Sequence, residues 1–509
     1  MAKPRVLLII VLIAAAALMA WLAVYQVDDA YIVYRYARSL ASGAGFAFNP
    51  GERVEGVTCF LWTLALAPVH AIGLPLPKVA PFLTALFGLG CLVLVARRRE
   101  RVDPLPPVLL ISSAAFAYWS VGALETVPFA FVLTLTARAY ARERGSGTGV
   151  RSALWLGVAA LLRPETPLVA LAFAADRVLA GAGRGPQERF RDLARWAGVI
   201  LAIVVPFLVF RRLYFGEWLP NTYFAKTGAP FSVLLANGWI YARSCLAALV
   251  PIPGLTWQAG ALLGGIALGA TLAYAARKVE LRAEVLVVAA ILLASVLEGG
   301  DWMVLSRFWV PALPCLAMLA ADGLRALARG GAFERGIAWV LGAAVVASGL
   351  AAVVRERDGG QGLAVNAEGY RHAHLAIARF LAEHAAPGDA VALMDVGMIG
   401  WYAEALRVID TTGLTDRAVA HAPGGFLEKD YPVAELLARE PRFVVLVPGF
   451  YADEKIHADP VFASTYRELF SVDHRFNWKP PSSYQLHVYE RIPRSTSRND
   501  GSGANVSVR

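Results

Sequence analysis

Asp28 and Asp29 stand side by side immediately after the first apolar segment of the chain. An acidic side chain at the centre of a membrane helix costs about 2.5–3.5 kcal/mol on insertion scales, so acids at the end of such a helix face water, a partner or a substrate. A carboxylate in that position can orient a nucleophile and accept its proton. A structural role competes with this reading, because one Asp can cap a following helix while the other steadies its positive end. Capping accounts for one carboxylate and gives no reason for two. Asp28 is therefore the first candidate for a general base, and Asp29 the second.

Other polar groups recur where apolar runs end. They are Glu125 in Gly122-Ala-Leu-Glu-Thr126, Arg163 and Glu165 around Pro164, Asn221 and Lys226 after Glu217, and Asp301 and Arg307 after Glu298. Glu55 joins them from the segment that follows the aspartates. Arg163 and Glu165 sit between two short apolar runs, which predicts a cavity inside a membrane protein or a structural ion pair. Arg211 and Arg212 end an apolar run on a face where cations are disfavoured, which suggests an anion such as a lipid phosphate or else a solvated helix end. Asp301 is a candidate for substrate hydroxyls or for a structural role.

The elements that must carry these residues are membrane helices. Of 509 residues, 57% are hydrophobic and only 17% charged, and the mean hydropathy is +0.52, too apolar for an ordinary soluble chain. The net charge of +9 does not point to nucleic acid, since Lys and Arg fall in short groups between apolar runs. Runs of about spanning length occur at 6–25, 79–96, 105–121, 127–141, 150–162, 166–181, 196–214, 256–276, 283–297, 308–324 and 334–354, which predicts about eleven transmembrane helices. Lys3 and Arg5 precede the first, whose length of about 20 residues favours a retained anchor over a cleaved signal peptide. With the N-terminus cytoplasmic, the basic clusters Arg97-Arg98-Arg99, Arg101, Arg138, Arg142, Arg144, Arg277 and Lys278 fall inside, as the positive-inside rule requires. All the polar groups above then emerge on the opposite face.

On this topology 26–78 is a large first external loop. Tyr31–Leu40 and Phe60–His70 have the pattern of helices lying in the interface plane, separated by turn signals at Gly43, Gly45, Asn49, Pro50 and Gly51. The transmembrane domain is assigned to 1–354, and after Val354 charges become frequent and apolar runs shorten. Residues 355–492 read as a soluble extracytoplasmic α/β domain, with helices at 376–383 and 433–439 and strands at 390–394, 407–410 and 443–447 in a parallel sheet. The turns Asp395–Gly397 and Asp410–Gly413 end two of those strands, a place where α/β folds hold ligands. Residues 493–509, rich in Ser, Asn, Gly and Arg, read as a disordered tail. Cys59, Cys91, Cys245 and Cys315 are widely spaced and form neither a redox motif nor a zinc site.

The stretch from Asp28-Asp-Ala-Tyr-Ile-Val-Tyr-Arg to Glu55-Gly-Val-Thr-Cys-Phe-Leu-Trp62 resembles the first external loop of GT-C glycosyltransferases, above all the mycobacterial terminal arabinofuranosyltransferase family. Gly122–Thr126, Arg163–Glu165, Leu219–Lys226, Gly299–Met303 with Arg307-Phe308, and Ile409–Asp416 follow in family order, so the resemblance covers most of the chain. Val57 and Cys59 depart from the family pattern, which has Tyr and Asn there. The resemblance implies a mainly α, polytopic, GT-C-like enzyme of the bacterial cytoplasmic membrane. Its active site and C-terminal domain would face the exterior. It would take a sugar, pentosyl or hexosyl, from a polyprenyl-phosphate donor and pass it to a glycan or glycolipid acceptor.

The same resemblance assigns the acidic pair, here Asp28 and Asp29, to the active site. No cofactor beyond the lipid-linked donor is implied, a divalent metal is left open, and no metal ligands are assigned. For the donor phosphate the candidate cations are Arg163, Arg211, Lys226 and Arg307. Two rival readings are a lipid-linked glycan flippase, which also needs many helices with intramembrane charge, and a non-catalytic scaffold for envelope assembly.

Overall fold

The computed structural model describes residues 2–98, 101–144, 149–180, 185–252, 254–359, 362–474 and 484–493. The membrane part is built from α1 (Ala2–Leu22), α2 (Asp28–Ala41), α3 (Phe60–Ala71), α4 (Leu76–Ala96), α5 (Leu105–Ile111), α6 (Ala114–Trp119), α7 (Thr126–Glu143) and α8 (Arg151–Ala160). It continues through α9 (Thr166–Ala180), α10 (Pro186–Phe215), α11 (Asn221–Lys226), α12 (Phe231–Leu249), α13 (Trp257–Ala276), α14 (Arg282–Leu297), α15 (Leu313–Ala328) and α16 (Ala332–Asp358).

Among the described residues, six helical stretches are long and apolar enough to cross a membrane: Pro4–Leu22, Leu76–Ala96, Pro186–Phe215, Trp257–Ala276, Arg307–Ala328 and one within Ala332–His384. The chain is a multi-pass membrane protein. The remaining apolar runs form shorter helices packed into the bundle. α8 has ten residues, a rise of about 15 Å, or half a hydrocarbon core. The run at 105–121 is divided between α5 and α6, where the Ser113 side chain accepts the Phe116 amide and starts a new helix. α12 answers to no apolar run, because Asn237, Tyr241, Arg243 and Ser244 dilute its hydropathy; it packs against α13 and α14.

α2 is buried on all sides: Tyr34, Tyr36, Ala37 and Arg35 on successive faces are all inaccessible. Its cover is the C-terminal domain. Arg35 donates to the carbonyls of Phe48 at 2.8 Å and Leu406 at 2.7 Å, and also to that of Gly400. Asn49 pairs with both backbone groups of Val408, at 2.8 and 3.0 Å, as a neighbouring strand would.

The C-terminal domain comprises α17 (Leu363–His372), α18 (His374–His384), β1 (Ala390–Leu393), α19 (Val396–Tyr402), β2 (Arg407–Asp410), a helix at Val433–Ala438, β3 (Phe443–Leu446), β4 (Tyr466–Asp473) and β5 (Gln485–Arg491). Its sheet has the order β2-β1-β3-β5-β4. β1 pairs in parallel with β2 and β3, whereas β5 is antiparallel to β3 and β4. The sheet is thus mixed, not wholly parallel as expected. The added strands escaped notice because β4 carries Arg467, Glu468 and Asp473 at an edge, where one face needs no apolar residues. α16 continues to Asp358, past the expected domain limit at 354. Residues 494–509 of the expected tail lie outside the described residues.

Candidate active site

The first turn of α2 places the two aspartates differently. α2 is preceded by Val27, and neither Asp caps it. Asp28 caps a different helix: its Oδ2 accepts the Gly397 amide and its Oδ1 the Met398 amide, both at 2.7 Å, at the start of α19. Burial, and next the neighbouring Asp395, push the Asp28 carboxyl up to about 7, against the opposing pull of His374 and the two amides.

Asp29, half-buried, makes no hydrogen bond or ion pair among the described residues. It lies within electrostatic reach of Lys226, Arg307, Asp301 and Glu125. Burial raises its pKa, and Lys226 and then Arg307 pull it back. Both aspartates line a cavity of about 990 Å³, open mouth included, between the first loop, Trp302–Val304 and the C-terminal domain.

The cations near this cavity fall into two kinds. Arg163 is fully engaged: it donates to Glu125 at 2.7 Å and forks onto Glu165 at 2.8 and 3.0 Å, with Phe308 stacked on its guanidinium at 5.0 Å. Arg307 pairs with Asp301 at 2.6 Å and lies between the rings of Trp119 and Phe308. Lys226 has no carboxylate within ion-pair distance among the described residues; its ammonium lies 5.5 Å from the Phe426 ring centroid. Burial lowers its pKa, as does Arg307, while Asp29 and Asp301 oppose them. An ammonium with three donors and no acid partner is suited to an incoming anion.

Backbone strain marks the loops that carry these groups. Ala123, before Glu125, has φ +66°, and Leu305 and Ser306, before Arg307, have φ +57° and +50°, a region non-glycine residues seldom adopt. Indole N–H groups hold both loops: Trp62 donates to the Ala123 carbonyl at 3.0 Å and Trp119 to that of Val304 at 3.2 Å.

The other nominated residues lie elsewhere. Glu55 and Arg211 form a buried two-point ion pair at 2.6 and 3.0 Å that ties the first loop to α10. The exposed Arg212 donates to the Gly216 carbonyl and finishes its own helix. Asn221 donates to the carbonyls of Gly413 and Leu414, at 2.7 and 3.0 Å, and so binds α11 to the loop after β2. That loop is organised by Asp410, which accepts from Thr412, Gly413 and Thr415.

The C-terminal domain adds cavity residues that were not nominated as site residues. Asp395 reads in the sequence only as part of a strand-end turn; its Oδ2 accepts Tyr484 Oη at 2.5 Å and bonds His374 Nε2 at 2.8 Å. His374, Tyr370, His474 and Tyr484 carry no local motif, and only the folding of α17, α18, β4 and β5 brings their rings together.

This architecture is that of a polytopic membrane protein with a mixed-sheet domain over its site. It superposes on two crystal structures of ArnT from Cupriavidus metallidurans. The apo form gives a TM-score of 0.54 at 16% identity, covering 94% of this chain and 97% of that one. The form bound to undecaprenyl phosphate gives 0.54 at 15%, covering 96% and 98%. In sequence the chain is similar to a terminal beta-(1->2)-arabinofuranosyltransferase of Corynebacterium glutamicum, 25% identical over 258 residues. That match takes in 43% of this chain and 35% of the relative, about a third of its length. A family model described as a domain of unknown function (DUF8728) matches residues 363–497.

Proposed function

We propose that this protein is a membrane glycosyltransferase. It moves a sugar from a polyprenyl-phosphate donor to a glycan or glycolipid acceptor outside the bacterial cytoplasmic membrane. The observation that carries the reading is that Asp29, which lines the cavity, and Lys226, within its electrostatic reach, have no ion-pair partner among the described residues and stand near the Arg307–Asp301 pair. The ArnT-like fold and the similarity to an arabinofuranosyltransferase support it.

In this mechanism the acceptor hydroxyl oxygen forms the new bond to the anomeric carbon as its proton passes to Asp29. The bond from that carbon to the phosphate oxygen breaks, and its electron pair leaves with the lipid phosphate. Lys226 and Arg307 meet the charge that develops there. Asp28 fixes the first turn of α2, and with it Asp29, by gripping α19. Arg163, Glu125 and Glu165 are already engaged with one another and stiffen the loops beside the site. Glu55 and Arg211 stiffen the loop that bears the base.

Purified protein in detergent, incubated with a panel of polyprenyl-phosphate sugars, is expected to release lipid phosphate and glycosylate an acceptor with at least one donor, read by mass spectrometry. Passage of intact lipid-linked sugar across a vesicle membrane with no new glycosidic bond would replace this reading with transport.

A further inference from the structure

The cavity is electrically divided. Lys226 and Arg307, within electrostatic reach of Asp29 at its membrane side, suit a phosphate, whereas the wall supplied by the C-terminal domain is acidic and aromatic. Asp395 is the charged centre of that wall. Burial pushes its carboxyl up, but the hydrogen bond and charge of His374, with the Tyr484 hydroxyl, outweigh burial and keep it below the usual carboxylate range. Only Oδ2 is engaged by His374 and Tyr484; Oδ1 has no hydrogen bond among the described residues, and the residue lines the cavity. Tyr370 stacks on His374 at 4.3 Å and lies 5.5 Å from Tyr25, and Phe450 meets Tyr484 at 6.0 Å, so rings flank the carboxylate.

The other titratable groups acting on it include the acids Asp28 and Asp453, and His474, which burial and then His374 hold neutral by lowering its pKa to about 3. An anionic ligand is disfavoured there. A neutral molecule with many hydroxyl donors and apolar C–H faces fits both features: its hydroxyls bond an ionised carboxylate and its faces lie against rings.

We propose that Asp395, held by His374 and Tyr484, is the binding subsite for a neutral saccharide acceptor, so that the C-terminal domain selects the acceptor while the membrane helices hold the donor. This rests on the transferase reading above. It explains why Asp28 joins α2 to α19, since that contact sets the base against the acceptor-bearing wall.

The test uses the full chain in nanodiscs and saturation-transfer NMR with a panel of defined pentose and hexose di- to hexasaccharides. Wild type is expected to bind at least one of them. Asp395→Asn and Tyr484→Phe are expected to weaken that binding at least tenfold and to raise the acceptor KM to match, leaving the affinity for polyprenyl phosphate unchanged. Tyr484→Phe removes a single oxygen and decides the matter if Asp395→Asn unfolds. The subsite is overturned if wild type binds no saccharide, if Tyr484→Phe binds as wild type does, or if polyprenyl phosphate binding falls in parallel. Saccharide binding without lipid phosphate release from any donor would sink the transferase reading and leave the subsite standing.

Discussion

The carboxylate of Asp28 and the backbone amide of Gly397 meet at 2.7 Å, although 369 positions separate them in the chain. With the Met398 amide on its other oxygen, Asp28 is a bracket between the first loop and the C-terminal domain, and its neighbour Asp29 is left facing the cavity.

The two aspartates therefore respond differently to substitution. Asp29→Asn is expected to lower kcat by about 10²–10⁴-fold, the usual range for loss of a general base, with an unchanged unfolding midpoint. Asp28→Ala removes the acceptor from two buried amides and is expected to cost about 2–6 kcal/mol at about 1–3 per orphaned donor, seen as a lower midpoint in thermal unfolding. An inactive but fully stable Asp28→Ala paired with an active Asp29→Asn would reverse the assignment.

Gly397 is required by space. A Cβ there would lie 2.0 Å from the Asp28 carbonyl oxygen and 2.5 Å from its Oδ2, and the former is backbone that cannot swing aside. Gly397→Ala is expected to destabilise the junction by about 1–3 kcal/mol, the range for overpacking. Limited proteolysis between the membrane and sheet domains measures it.

Arg163 holds two buried acids. Removing one partner of such a cluster costs about 3–5 kcal/mol, since an uncompensated charge remains. Arg163→Met is expected to reduce folded protein in membranes sharply, and adding Glu125→Gln and Glu165→Gln to recover part of it. Fluorescence-detected size exclusion of the solubilised variants reads the outcome.

Asp453 gives the C-terminal domain a pH dependence. One oxygen accepts the Val447 amide at 2.7 Å, the other has no partner among the described residues, and burial pushes the carboxyl up to about 8. Its folded pKa lies above its unfolded value of about 3.9, so the native state binds the proton more tightly. The resulting stabilisation is complete below about pH 4 and is lost as pH rises through about 8, with a slope of at most about 1.4 kcal/mol per unit. Thermal unfolding between pH 6 and 9 should fall with pH, and Asp453→Asn should flatten that fall.

Activity should fail on acidification from the same kind of cause. Burial raises the Asp29 carboxyl, and its protonated form cannot accept the acceptor's proton. The acid limb of kcat/KM is expected above the ordinary aspartate range, and a limb unchanged in Asp29→Glu would argue against this residue as its origin.

By itself the sequence determined the membrane class, the C-terminal α/β segments around β1, β2 and β3, and a set of charged residues at the ends of apolar runs. Those features follow from local rules, because apolar length, turn residues and the cost of a charge in lipid act within a few residues of one another. Tertiary structure decided what each charge does. Asp28 and Asp29 are neighbours with similar local signals, and only the approach of α19 engages one and leaves the other open. Arg163 and Lys226 have similar local signals as phosphate ligands, yet Glu125 and Glu165 satisfy the first, while the second has no acid partner among the described residues. Asp395, His374 and Tyr484 converge from three separate elements. Such contacts depend on which segments the fold brings together across hundreds of residues, and no periodicity within a single segment encodes that.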